Sequence, residues 1–442
     1  MYYPIGWHKV LRLDTRCDHD EQPCKILSVQ ANHERELYFI LTTKSIHIWY
    51  PRPAAEIVCH RRSHQSISQV GLNKSAVWKT DSSVIVVSTE RDQLLFFQIR
   101  KRATSSSTWS FLSGTSGEGD GIYRLKVDQK QVKKMKNGEL SLNSDDESHV
   151  PALTIFSFGK LDLSSVGVSC LMSAEEELIV GARNGQIYGI QWDGNVDDKF
   201  PWSLSKEVRR RSDFLVDLKF SSVLSGFSLV FRSGRVGFMP LRIDSADAAG
   251  DGTSDLSSCD TNISYLASIT NATCTEINHR HRLVAFGLKD SRVVVCGIGE
   301  SNTTLVEDHK LQLEACKNQN NNSDLGRVEC LSYSPDNFAL AVSWEGGDIA
   351  LWSVYGSLLF CSQQWRPECG LVALVRSIRI TSLAWGREGY NLWLCTIKDE
   401  TDEDDHRASE ATIVTNGKPV LDGDEISTTS CTTRSDISQP DE

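Results

Sequence analysis

His279 and His281 are the residues whose type and spacing come nearest to chemistry. Two imidazoles at i and i+2 fall on one face of an extended chain, and ring nitrogens are what a zinc-like cation takes. Neither a cysteine nor a pair of carboxylates lies close by, and the two histidines occupy a polar turn between strand-like runs. A solvated turn is therefore the expected reading. The glycines of Gly117-x-Gly119-x-Gly121 sit in a Ser/Gly stretch with no helix after them, so they read as a linker rather than a phosphate cradle. No P-loop, no G-x-S-x-G elbow and no H-E-x-x-H helix occurs. Lys130–Lys136 and Arg209-Arg210-Arg211 are the basic clusters. Such clusters gain about 1 kcal/mol per charge at an anionic surface. The first is flanked by acidic residues and the second precedes a strand, so at most a weak contact with an anionic membrane is expected. Trp49, Trp192 and Trp352 end strand-like runs and read as core packing rather than ligand cages. No catalytic, cofactor-binding or metal-binding residue is assigned from the sequence, no cofactor is expected, and no partner-binding residue is identified.

Composition narrows the classes further. The chain has 442 residues, 40% hydrophobic and 24% charged, with a net charge of −11. These are ordinary globular values, and the charge balance argues against a nucleic-acid partner. The thirteen cysteines are scattered without a C-x-x-C pair. Cys170, Cys274, Cys296, Cys330 and Cys395 fall inside strand-like runs, where a thiol behaves as a small hydrophobe. The odd count in a long chain speaks against a disulfide framework. The first residues lack a basic region followed by an apolar core, and no apolar run approaches the ~20 residues of a spanning helix. A soluble, cytoplasmic protein is expected, in which Asn271-Ala-Thr273 is a chance sequon.

Short apolar runs separated by turn signals recur along the chain. Ile26–Ala31, Leu37–Thr42 and Ser45–Tyr50 form the first unit, which Pro51-Arg52-Pro53 stops because proline cannot donate to a ladder. Ala76–Trp78, Ser83–Thr89 and Gln93–Arg100 form the second. Trp49 and Phe97 stand 48 positions apart, close to the roughly 40–45 residues of a WD-type blade. Gly167–Met172, Leu178–Ala182 and Gln186–Trp192 follow, with Asn184-Gly185 as the hairpin signal. Then come Phe214–Pro240 and Ala272–Gly299, the latter with Arg282–Gly287 and Arg292–Ile298 as expected inner and outer strands. The sixth unit is Arg327–Gly356, with the turn tetrad Ser334-Pro335-Asp336-Asn337 and the dipeptide Leu351-Trp352. The last runs from Ile378 through Ile397. The alternation is that of half-buried strands. The expected fold is all-β, a WD40-like seven-bladed β-propeller over residues 1–397.

Two stretches break the rhythm. Residues 101–153 turn from Ser/Gly-rich to basic to acidic and read as a mobile insertion that has room for an outer strand at Ile122–Val127; 244–260 reads as a polar loop. Residues 398–442 begin with six acidic residues among the seven of Asp399–Asp405 and continue Ser/Thr-rich. They are expected to be a mostly disordered acidic tail. The missing outer strand of the last unit comes either from Ala411–Thr415 or from Tyr2–Leu13, the latter preferred.

Whole phrases then carry a resemblance. Gly6-Trp7, Ser45–Pro53, Ala76–Ser82, Val236–Phe238, Arg282–Gly287, Trp344-Glu345, Leu351–Gly356 and Ile380–Trp393 are similar, in order, to the N-terminal part of the larger subunit of the Ric–Rgp guanine-nucleotide exchange complex, the Ric-one family. The resemblance implies a non-enzymatic scaffold, peripheral on the Golgi membrane. With a smaller, arrestin-like Rgp-type subunit it would activate a Golgi Rab GTPase of class six in retrograde endosome-to-Golgi transport. It also implies members that continue past this length, through a second propeller-like region and a helical part. The alternatives are a generic WD40 adaptor in another intracellular complex and, less favoured, a propeller enzyme.

Overall fold

Short runs rich in Val, Ile and aromatic residues, punctuated by two- to five-residue turns, are segments that antiparallel pairing buries most efficiently. The computed structural model describes residues 9–12, 24–51, 54–101, 121–123, 153–174, 177–194, 202–203, 213–240, 263–300, 304–313, 325–362, 379–387, 391–397 and 410–415. They fall in one unit, Met1–Lys126 with Val150–Gly417.

The strands are β1 (Lys9–Arg12), β2 (Ile26–Ala31), β3 (Tyr38–Thr42), β4 (Ser45–Pro51) and β5 (Ala54–Arg61), followed by the helix α1 (His64–Val70). Next come β6 (Asn73–Trp78), β7 (Val84–Thr89), β8 (Gln93–Lys101), β9 (Gly121–Tyr123) and β10 (Leu153–Asp162). The middle of the chain supplies β11 (Val168–Ser173), β12 (Glu177–Ala182), β13 (Gln186–Gln191), β14 (Trp202–Ser203), β15 (Leu215–Ser221), β16 (Gly226–Phe231), β17 (Val236–Pro240) and β18 (Ser264–Tyr265). Then follow β19 (Ala272–Asn278), β20 (Leu283–Leu288), β21 (Val293–Ile298), β22 (Leu305–Leu311), β23 (Val328–Tyr333), β24 (Ala339–Trp344), β25 (Ile349–Ser353) and β26 (Leu358–Cys361). The last are β27 (Arg379–Trp385), β28 (Asn391–Ile397) and β29 (Glu410–Thr415).

These strands pair antiparallel into seven sheets, six of which use only strands between β2 and β26. The seventh joins the chain's two ends in the order β1-β29-β28-β27. The innermost strands neighbour one another in the order β2, β6, β11, β15, β19, β23, β27, and β27 returns against β2. That is an all-β propeller, as the sequence leads one to expect.

Several boundaries need correction. The fourth strands were read incompletely: β20 and β21 are the second and third strands of their sheet, with β19 inside them and β22 outside. Pro51 ends β4 but not the sheet, because the chain returns as β5 with Pro51 opposite Ala54. The strand expected at Ile122–Val127 is described only as β9, and it extends the sheet of β5. Both candidates for closing the last sheet are used: β29 pairs with β28, and β1 pairs with β29. An unpaired edge on β28 leaves its amides and carbonyls open, and a β-branched ATIVT segment is well suited to cover it. The stretch read as tail therefore contains a strand at 410–415; its remaining residues, the loop at 244–260, and most of 101–153 lie outside the described residues.

Packing divides along the ring rather than within each sheet. The second strands β3, β7, β16 and β24 are buried at every position. Burying each Val, Leu or Ile contributes about 1.5–3 kcal/mol. Each apolar cluster straddles neighbouring sheets: Phe39, Ile48 and Val58 pack with Ile85 and Phe97, for example, and Tyr38 and Ile40 with Ala384.

Candidate interaction surfaces and the inner ring

The innermost strands share a device that their sequences do not announce. Each slips register near its start, after the first residue or, in β27, the second: between Ile26/Ser28, Asn73/Ser75, Val168/Cys170, Leu215/Asp217, Ala272/Cys274, Val328/Cys330 and Ile380/Ser382. A bulge of this kind re-aims the side chains that follow it. The residue after the slip is Ser, Cys or Asp in every strand, half-buried, and several of them bond the next strand around the ring. Ser382 Oγ donates to Val29 O at 2.8 Å and accepts from Val29 N at 3.2 Å. Cys330 Sγ donates to Thr381 O at 2.9 Å, and Asp217 Oδ2 accepts from Thr275 N at 2.9 Å. Cys170 Sγ lies 3.9 Å from Leu215 O and Cys274 Sγ 4.0 Å from Val328 O. Burial pushes the Cys170 thiol up to about 12 and Cys274 well above its ordinary value, so both stay protonated and able to donate.

Charge collects on the same strands. Lys219 Nζ stands 3.4 Å from Glu276 Oε2. Burial raises the Asp217 and Glu276 carboxyls, with the Lys219 ammonium opposing, and the Glu276 charge in turn raises Lys219. Burial lowers the Arg35 guanidinium against the opposing pull of Tyr38, Glu276 and Asp336. Mutual compensation among these half-buried groups is structural chemistry. Among the described residues no group of three or more His, Cys, Asp or Glu side chains is placed to hold a metal ion.

The two rims differ. At the rim where innermost strands begin and second strands turn into third ones, acids are tied down. Asp92 accepts from Val168 N at 3.0 Å and from Arg183 Nη2 at 2.7 Å. Asp213 accepts from Ser233 N, Ser233 Oγ and Arg235 Nη2. Helix α1 lies at this rim, capped by Ser63 and stopped at Gly71 with φ 83°. A cavity of about 470 Å³ beside it is lined by Ser66, Gln69, Val70, Phe97, Ser157 and Lys160.

At the opposite rim, His279–Arg282 link β19 to β20, and Ser334–Phe338 link β23 to β24. Asn278 Nδ2 donates to Asn337 O at 2.7 Å, which locks one turn onto the other. The Arg280 guanidinium carbon sits 4.5 Å from the Phe338 ring centroid. The His281 ring is 5.3 Å from Phe338 and 6.2 Å from Tyr355. The pair His279/His281 is thus divided: His279 is exposed, and His281 is half-buried against aromatic rings with no second ligand group beside it. Phe338 and Tyr355 were read only as part of a strand and of a closing phrase. Their exposure depends on neighbouring turns, which spacing along one strand does not reveal.

Trp49, Trp192 and Trp352 are buried, as core packing requires. Their indole N–H groups have no partner, whereas Trp78, Trp344 and Trp385 donate to Gln30 O, Ser291 O and Ser332 O of the preceding sheet. Lys130–Lys136, Arg209–Arg211, Gly117, Gly119 and the Cys395 side chain lie outside the described residues, while Gly121, read as part of a linker, opens β9.

Comparison with known proteins bears on what such a ring serves. No family model matches the chain. The mouse (Mus musculus) guanine nucleotide exchange factor subunit RIC1 is 30% identical over 418 residues, 89% of this chain and 26% of that protein. The human protein of the same name matches with the same identity and coverage. The Caenorhabditis elegans guanine nucleotide exchange factor subunit R06F6.8 is 22% identical over 432 residues. The chain therefore spans about a quarter of the length of the curated relatives it matches. Among solved structures, the β-propeller domain of Cps50 (Swd1) from Myceliophteria thermophila aligns with a TM-score of 0.55 at 9% identity, over 92% of this chain and 99% of that one. That likeness concerns the fold alone.

Proposed function

We propose that this chain, a homologue of the RIC1 guanine nucleotide exchange factor subunits over 89% of its length, is the propeller platform of such a subunit. The observation that carries the reading is the 30% identity sustained across nearly the whole ring. Exchange calls for no acid, base or nucleophile: a surface that binds the nucleotide-free GTPase better than the GDP-bound one lowers the cost of losing nucleotide by differential affinity. A ring whose polar groups are spent on stitching strands together, and whose rims present turns, is suited to binding of that sort.

In its finer form the reading assigns a Golgi Rab GTPase of class six, a smaller arrestin-like Rgp-type subunit, retrograde endosome-to-Golgi transport and peripheral attachment to the Golgi membrane. The seven sheets are read as seven blades, the last closed by both chain ends. Mixing the chain, with and without the smaller subunit, with GDP-loaded GTPase and following nucleotide release tests the activity. Faster release only with the partner is expected. If a longer chain accelerates release with the partner and this one does not, exchange resides elsewhere in the protein. Removing residues 1–12 tests the closure and should lower thermal stability while leaving far-UV β signal in place.

A further inference from the structure

The rim patch of Arg280, His281, Phe338 and Tyr355 is built differently from every other exposed apolar site described. Phe158, Val216, Val223 and Val306 are scattered exposed side chains, which is ordinary for a protein surface, and the arginine over Tyr265, Arg235, is paired with Asp213 at 2.8 Å. Phe338 and Tyr355 are instead joined through His281 into one contiguous aromatic surface, and Tyr355 is 77% exposed. The patch is also cationic. Arg280 makes one hydrogen bond, to Asp336 O at 3.3 Å, and no ion pair among the described residues. Oδ1 of the neighbouring Asp336 is turned to its own loop, accepting from Ser334 Oγ and Phe338 N. His281 Nε2 is buried without a hydrogen-bond partner. Two other cations of the same rim carry their own acids: Lys79 has Asp81 at 2.6 Å and Arg387 has Glu36 at 2.6 Å.

We infer that this patch docks an acidic segment of a partner protein, with a carboxylate received by Arg280 and a neighbouring apolar or aromatic side chain laid against Phe338 and Tyr355. Arg and Tyr are the side chains that most often carry interface energy. A guanidinium held against a ring has already lost part of its freedom, so less is lost when a carboxylate arrives. The charge of the chain itself points the same way. On a protein of net charge −11, an exposed arginine that forms no ion pair among the described residues is a local point at which an acidic ligand meets complementary charge. The inference goes beyond the exchange-factor reading and stands without it, since it concerns binding and not nucleotide release.

The test is selection of short random peptides displayed on phage against the purified full chain, followed by binding measurements with synthetic versions of the enriched peptides. Enriched peptides should pair Asp or Glu with an aromatic residue or Leu. Their affinity should fall about tenfold or more in the Arg280→Ala/Tyr355→Ala double variant, a loss of the size expected for two interface anchors. Both side chains project from turns, so the fold should survive; Arg387→Ala, on the same rim, should leave binding unchanged and serves as the control. Enrichment of nothing, of peptides without acidic residues, or of peptides that bind the double variant equally well would overturn the inference. So would peptide binding that emerges only when Asp399–Asp405 are neutralised, which would make the occupant the chain's own acidic stretch. Binding to phosphatidylserine vesicles that the double variant loses would replace the protein partner with a membrane.

Discussion

The two rims of the ring use the same residue types to opposite ends. At the rim of Asp92 and Asp213 each acid receives a backbone N–H as well as an arginine, Asp92 joining its sheet to the next and Asp213 fastening the turn of its own. At the rim of Arg280 the turns are held by an amide, Asn278 to Asn337 O, and the arginine is left stacked on an aromatic ring. Charge that is structural at Asp92 and Asp213 is, at Arg280, free of any ion pair among the described residues. In a ring of repeated sheets this asymmetry separates the side that maintains closure from the side that is free to bind.

The comparison breaks most visibly at Asp92. Its carboxylate is the acceptor for the amide of Val168, a residue only 1% exposed. Asp92→Ala strands that amide and unpairs Arg183, so a loss of about 2–4 kcal/mol is expected. Chemical denaturation measures it. A loss below 1 kcal/mol would mean that this rim is no more structural than the other.

Ser382 tests closure of the ring itself. Its hydroxyl both gives to and takes from Val29, across 353 positions of sequence. Ser382→Ala should cost about 1–2 kcal/mol, the net worth of a pair of backbone hydrogen bonds. Hydrogen exchange read at Val29 and Tyr38 should quicken more than at β16, which lies away from the seam. Equal quickening throughout would show that the seam is not a local weak point.

How far the sequence revealed this division depends on which strand one considers. β24 and its turn were legible because ALAVSW is apolar but for Ser343 and Pro335-Asp336-Asn337 can form little but a turn; Asn337 adopts φ 63° there, a conformation Asn tolerates. The outer strand β22, LVEDHKL, was not legible, since a half-exposed edge is free to carry charge and then looks like a loop. β10 was hidden for another reason: it pairs with β8 across an intervening stretch of fifty-odd residues, a distance at which local patterning is silent. The register slips were also invisible, because a bulge is a property of hydrogen bonding between strands. Their consequence could nonetheless have been noticed, as Ser28, Ser75, Cys170, Asp217, Cys274, Cys330 and Ser382 occupy one equivalent position. The rim patch lay beyond reach because it draws on three turns from two sheets.

Asp217 sharpens the picture of the inner ring through pH. Burial raises its carboxyl, and the Lys219 ammonium offsets part of that rise. A carboxyl raised by folding holds its proton longer in the folded state. Its contribution to stability is full below the unfolded value near ~4 and is lost as pH climbs through the raised folded value. Asp217→Asn keeps an oxygen for Thr275 N and cannot ionise. The variant should flatten the fall in stability above about pH 4 and be equal to or up to about 1 kcal/mol more stable at neutral pH. Denaturation midpoints across that pH range decide it. A variant less stable at neutral pH would mean that the charge itself is used, as the counter-ion of Lys219.

The smallest effect belongs to the paired cation of the binding rim. Arg387 and Glu36 meet at 2.6 Å with side chains 69% and 40% exposed. In so much water the Coulomb gain is screened and two long side chains lose freedom, so exposed pairs of this kind are worth about 0–1 kcal/mol. Arg387→Ala should therefore change stability by less than about 0.5 kcal/mol, and Arg280→Ala, which breaks no ion pair, by a similarly small amount. Equality of the two in denaturation, set against their inequality in peptide binding, is the outcome that separates a cation placed for the fold from one placed for a partner. If Arg280→Ala instead destabilised the chain as Asp92→Ala does, the guanidinium would be part of the inter-sheet stitching, and the difference between the rims would be one of geometry rather than of purpose.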